Sequence, residues 1–172
     1  MITAARALDA MDLETARAAL TRCCGARRWV DGMLARRPFG ADEALMEAAD
    51  QVWSTMERED VLEAFTHHPR IGASVEELRK RFASTSAWSA GEQGAVAAAG
   101  EETLRALSAG NAAYEARYGF IFIVCATGKS AEEMLALLNA RMGHEPGDEL
   151  RVAAAEQAKI TKLRLAKLSE GT

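Results

Sequence analysis

The chain has 172 residues, of which 49% are hydrophobic and 27% charged, with a formal net charge of -4. A chain of this length can bury a sizeable core as one domain without disulfide or metal staples, so a single domain over residues 1–172 is expected. The acidic balance lacks the basic surface that neutralises nucleic-acid phosphates, which argues against a nucleic-acid partner.

Near the N-terminus, Arg6, Asp9, Asp12 and Glu14 interrupt any apolar stretch of signal-peptide length. The longest uninterrupted apolar run, residues 120–126, is far short of the roughly 20 residues that span a bilayer. No membrane partner is expected, and the location read from this is cytoplasmic. The three cysteines, Cys23-Cys24 and Cys125, match neither a disulfide framework nor Cys-x-x-Cys metal spacing and suit a reducing compartment.

Only three prolines occur (Pro38, Pro69, Pro146), and the prevalence of Ala, Leu, Glu, Lys and Arg predicts an all-α, compact multi-helix fold. The first predicted helix runs from about Asp12 to Cys23, with Leu13, Ala16, Ala19 and Leu20 on its core face. A second spans about Ala41 to Met56, where Leu45, Ala48, Ala49, Val52, Trp53 and Met56 recur at helical spacing. The segment from Asp60 reads as a helix stopping before Pro69, because the residue before proline is pushed away from helical dihedrals. His67 and His68 therefore fall at a helix end.

Further helices are predicted at about Ser74–Phe82, Ser89–Arg117, Ser130–Arg141 and Gly147–Leu168. Ser89 with Glu92 and Ser130 with Glu133 have the S-x-x-E spacing of a capping box. The run Phe120–Cys125, bounded by Gly119 and Gly128, has the β-branched and aromatic content of a short extended apolar segment, although its periodicity is also compatible with helix.

His68 is the first candidate for chemistry. A histidine at a helix end beside proline can serve as general acid or base, or it can simply cap the helix by bonding a late carbonyl. Glu92 and Gln93 follow Ser89 at a predicted helix start, where side chains can address a small polar ligand; the plain alternative for Glu92 is a capping-box role. Arg164, flanked by apolar residues, is either a solvated surface side chain or one that points into a cleft and holds a carboxylate. No metal set is read from the sequence, because neighbouring histidines diverge and no Cys/His cluster has ligand spacing. Nucleophile-elbow and phosphate-loop motifs are missing, and Cys125 in its apolar run reads as inert.

Taken together, Cys23-Cys24-Gly25 with Trp29, Arg37-Pro38-Phe39, Trp53, Phe65 leading into His68-Pro69-Arg70-Ile71-Gly72, Ser89 with Glu92-Gln93, Asn111 with Tyr114, Tyr118 through Val124, Arg141, Glu156, Ile160 and Arg164-Leu165 resemble the 2-oxo-4-hydroxy-4-carboxy-5-ureidoimidazoline (OHCU) decarboxylase family along nearly the whole chain. The resemblance implies that family's helical fold and a homodimer. It also implies cofactor-free decarboxylation of OHCU to (S)-allantoin in urate (purine) degradation, after urate oxidase and hydroxyisourate hydrolase. The catalytic histidine transfers to His68 and not to His67. Glu92 transfers as its catalytic companion, and Pro69, Ser89, Gln93, Phe122, Ile123, Val124, Cys125 and Arg164 as substrate contacts. This chain departs from the family at Tyr118, where phenylalanine is frequent, at Ile121, where proline is frequent, and at Gly143-His144. The alternatives are a non-catalytic helical module that binds a ureide without turning it over, or one that serves protein interaction.

Overall fold

The computed structural model describes residues 2–70, 74–82 and 95–169. Among these the chain forms nine α-helices: α1 (Ala4–Ala10), α2 (Leu13–Cys23), α3 (Arg27–Leu34), α4 (Asp42–Ser54), α5 (Arg58–Thr66), α6 (Val75–Phe82), α7 (Ala95–Tyr118), α8 (Ala131–Arg141) and α9 (Pro146–Ala166), the last followed by a 3-10 turn at Lys167–Ser169. The fold is all-α, as the composition predicts.

Several helix ends are set by local chemistry. Asp12 Oδ1 accepts the Thr15 amide at 2.7 Å and Ser130 Oγ accepts the Glu133 amide at 3.1 Å, each satisfying one of the free donors of a first turn. At the other end of a helix, Gly119 takes φ 81°, a left-handed conformation that suits glycine, and its amide closes α7 on Glu115 O at 2.8 Å. The following run at 121–126 forms neither helix nor strand, so the helical alternative left open by its periodicity is not taken up. The expected helix start at Ser89 lies outside the described residues.

Two helices were not predicted, α1 and α3. The amide of Arg27, the first residue of α3, bonds Glu63 Oε1 at 2.7 Å, and the side chain of its N-cap, Ala26, has no oxygen to offer. The cap of α3 is thus a tertiary contact. Leu13 is a correction: it is 61% exposed, because as the first residue of α2 it projects beyond the turn whose Ala16, Ala19 and Leu20 are buried.

The described chain divides into two compact units. One takes its residues from Met1–His68, Ile123–Cys125 and Ala153–Thr172, the other from Pro69–Phe122 and Ala126–Val152. In the first unit Leu8, Leu20, Trp29, Met33, Leu45 and Leu165 form a continuous buried cluster. Full burial of side chains of this size stabilises by about 1.5–3 kcal/mol each. Trp53 Nε1 donates to Ala154 O at 3.0 Å, which ties α4 to α9.

The same unit fixes the end of α5. Ala64 and Phe65 in its last turns are buried, and Arg27 Nε meets Glu63 Oε2 at 3.0 Å. With the Arg27 side chain 87% exposed, that pair contributes at most about 1 kcal/mol, so buried Phe65 dominates the anchoring. In the second unit α7 packs against both α6 and α8, around Leu78, Leu104, Leu107, Tyr114, Met134 and Leu138, all fully buried. No described helix is long and apolar enough to cross a membrane.

Candidate active site

The last turn of α5 closes with the His67 amide on Ala64 O at 3.2 Å and the His68 amide on Phe65 O at 3.1 Å. That turn projects both imidazoles beside α9. A cleft of about 460 Å³ opens there, lined by Thr21, Arg22 and Gly25 from around the end of α2, by Ala64, His67 and His68, and by Arg164. The two histidines have different surroundings. The His67 ring lies over Gly25, where an added Cβ would stand 2.2 Å from His67 Cγ, so this close approach requires glycine.

His68 Nε2 is hydrogen-bonded to Gln157 Oε1. On the other side of the ring, Arg164 Nη2 reaches His68 Nδ1 at 3.5 Å, and Arg164 Nη1 donates to Arg22 O at 3.3 Å. Arg164 therefore lines the cleft and is half-buried rather than fully solvated. Burial lowers the proton affinity of His68 below the ordinary imidazole value of 6.5. The Gln157 hydrogen bond acts in the opposite sense, and the Arg164 and His67 charges lower it further. The net direction is down, so His68 is neutral at neutral pH and can accept a proton.

The thiols nearby are not nucleophiles at that pH. Burial pushes both Cys23 and Cys24 up to about 11, which keeps them protonated. The arrangement offers a neutral base, a fixed guanidinium and a cleft that admits a small anion.

A family model described as OHCU decarboxylase matches residues 9–166, which is nearly the whole chain. The chain belongs to the OHCU decarboxylase family. Over 159 residues it is 37% identical to the uric acid degradation bifunctional protein TTL of Arabidopsis thaliana, a match that takes in 85% of this chain and 45% of that protein. The chain thus spans less than half the length of the plant relative. A 2-oxo-4-hydroxy-4-carboxy-5-ureidoimidazoline decarboxylase of Haloferax volcanii is 28% identical over 130 residues, 76% of this chain and 74% of that one. Among solved structures, a crystal structure of OHCU decarboxylase in the presence of (S)-allantoin superposes with a TM-score of 0.70 and 36% identity, covering 87% of this chain and 96% of the other.

Of the positions that resemblance to OHCU decarboxylases marks, His68 and Arg164 come together in the cleft. Ser89, Glu92 and Gln93 lie outside the described residues. Pro69 is exposed. Phe122 is buried within the second unit, with the Arg141 guanidinium 4.6 Å from its ring centroid and Tyr114 at 5.2 Å. Ile123, Val124 and Cys125 are buried in the first unit, where the Cys125 amide donates to Glu156 Oε1 at 3.2 Å.

Sequence reasoning missed Gln157 and Thr161, which are both buried and joined by a 2.9 Å bond from Gln157 Nε2 to Thr161 Oγ1. The available signal was the spacing of 157, 161 and 164, which puts all three on one stripe of α9.

Proposed function

We propose that this chain is the carboxy-lyase that converts OHCU to (S)-allantoin in urate degradation, working without a cofactor on the product of hydroxyisourate hydrolase. The observation that carries this reading is the neutral imidazole of His68 held beside the Arg164 guanidinium in an open cleft. In the reaction the bond from the ring carbon to the carboxylate breaks and CO2 leaves. The freed pair forms a double bond to the neighbouring ring carbon while the former C=N takes a proton at nitrogen. The hydroxyl then gives up its proton, and the carbon bearing the ureido group gains one on a single face.

The protein's task is proton transfer and charge stabilisation. His68 takes the hydroxyl proton. Arg164 draws the anion into the cleft, but binding the departing carboxylate too firmly would stabilise the ground state and slow the step. Its main contribution is to the charge that develops on the ring oxygen as the hydroxyl proton leaves. Glu92, with Ser89 and Gln93, orients the ureido and ring amides, and Ile123, Val124 and Cys125, with Pro69 and Phe122, supply the remaining contacts. The unbroken family match from residue 9 to 166 supports treating the two units as one working domain. We extend the reading to a homodimer in the cytoplasm.

The test generates OHCU from urate with urate oxidase and hydroxyisourate hydrolase and follows the circular dichroism of the product. The chain is expected to accelerate formation of one enantiomer, (S)-allantoin. Racemic product at the uncatalysed rate overturns the proposal.

The same assay carries a pH prediction. A base with lowered proton affinity stays active into mild acid, so the acid limb of kcat/KM is expected below pH 6.5. Replacing Arg164 by glutamine removes a cation that opposes protonation and moves this limb to higher pH. A limb above 6.5 in the wild type would contradict the neutral-base assignment.

A further inference from the structure

Arg164, His68, Gln157 and Thr161 form one chain of hydrogen bonds. Arg164 has N–H donors only, so the ring atom it approaches at 3.5 Å, Nδ1, presents its lone pair. In a neutral imidazole the proton then sits on Nε2, and Nε2 faces Gln157 Oε1. The Gln157 amide is itself engaged on its other side, where its Nε2 donates to Thr161 Oγ1 at 2.9 Å. The direction is imposed from the Arg164 end, which can only donate, and the Gln157 bond to Thr161 agrees with it. Gln157 is fully buried and Thr161 nearly so, and buried amides and hydroxyls are costly to reorient once each polar atom has a partner.

We infer that Gln157 is a positioning residue for the reaction. By accepting the Nε2–H it locks His68 in a single tautomer and makes Nδ1, the atom facing Arg164, the one that takes the substrate proton. The inference deepens the decarboxylase reading and rests on it for its kinetic consequence. Its structural half is independent of substrate. A histidine held in the wrong tautomer keeps its place and loses its function, since the lone pair then points away from the reacting group.

The experiment labels the full chain with 15N-histidine and reads the imidazole tautomers by long-range proton–nitrogen correlation. The chain has three histidines, and the His68 signals are assigned by their loss in His68→Asn. Wild-type His68 is expected as the Nε2–H tautomer. Gln157→Met, close to isosteric but without an acceptor for the ring, is expected to give a mixture of tautomers. It should lower kcat by roughly 10- to 100-fold with KM unchanged. Thr161→Val should act in the same direction more weakly, because it frees the amide to flip.

Finding the Nδ1–H tautomer in the wild type overturns the inference, and that measurement needs no variant to fold. An undisturbed Nε2–H signal with undiminished kcat in Gln157→Met overturns it as well. A wild-type chain that fails to accelerate OHCU decarboxylation overturns the proposed function instead, and the two failures are read in different experiments.

Discussion

Replacing His68 by asparagine is expected to lower kcat for OHCU decarboxylation by roughly 10²- to 10⁴-fold, the usual contribution of a positioned general acid or base, with little change in KM. The substitution keeps a small polar side chain at the end of α5. It leaves in place the backbone bonds from His67 to Ala64 and from His68 to Phe65, so helical circular dichroism should be unaltered. The control is its neighbour. His67 lines the same cleft but is exposed and has its ring against Gly25, and none of the Gln157 or Arg164 bonds reaches it. His67→Asn should therefore be mild. Equal loss from the two variants, or wild-type turnover by His68→Asn, would remove His68 from the reaction.

The contrast between these adjacent histidines shows where sequence reasoning succeeds and where it stops. The Pro69 break and the apolar Phe65 were enough to place His68 at a helix end, and Asp12 and Ser130 marked helix starts within a residue of where they occur. These are local effects, decided by dihedral restriction and capping. Arg164 stayed ambiguous because only packing decides whether a cationic side chain flanked by apolar residues turns inward. Gln157 escaped notice for the same reason: in a helix such as α9 a glutamine resembles any solvated position, and its complete burial is a consequence of tertiary packing.

The missed helices differ in this respect. The start of α3 is capped by Glu63, thirty-six residues along the chain, beyond the reach of a local start signal. The start of α1 does carry a local signal, the Thr3 hydroxyl accepting the Arg6 amide at 3.3 Å, beside a tertiary bond from the Ala5 amide to Asp42 Oδ1 at 2.8 Å; sequence reasoning missed that signal.

The largest loss of stability is expected from Glu149→Ala. Glu149 is fully buried and its partner Arg141 is 5% exposed. Arg141 Nε lies 3.0 and 2.8 Å from the two carboxylate oxygens, Tyr114 donates its hydroxyl to Oε2 at 2.7 Å, and His144 Nδ1 stands 3.2 Å from Oε1. Burial, then the Glu149 hydrogen bond, raise the Tyr114 hydroxyl well above its ordinary value, which keeps it a donor throughout the accessible pH range. Two of the family departures join this cluster, since the Tyr118 hydroxyl lies 2.8 Å from Arg141 O and 2.7 Å from His144 O.

Removing the carboxylate takes from the buried Arg141 guanidinium the counter-charge of Glu149 and from the buried Tyr114 hydroxyl its Glu149 acceptor. The expected cost is about 3–5 kcal/mol, a large share of the roughly 5–15 kcal/mol that holds a domain folded. The midpoint of denaturant unfolding, at unchanged slope, measures it. The size of the effect does not mean that the pair itself contributes so much. Desolvating both ions consumes most of their attraction, and the penalty arises from breaking the pair. The double variant Arg141→Leu, Glu149→Met should accordingly be more stable than Glu149→Ala, with the Phe122 and Tyr114 rings, now packed around the guanidinium, available to cover leucine. A loss below about 1 kcal/mol in Glu149→Ala, the range of an exposed pair, would mean that solvent reaches Arg141. A double variant no better than the single one would mean that the cluster supplies net stability through its hydrogen bonds, against the argument made from desolvation.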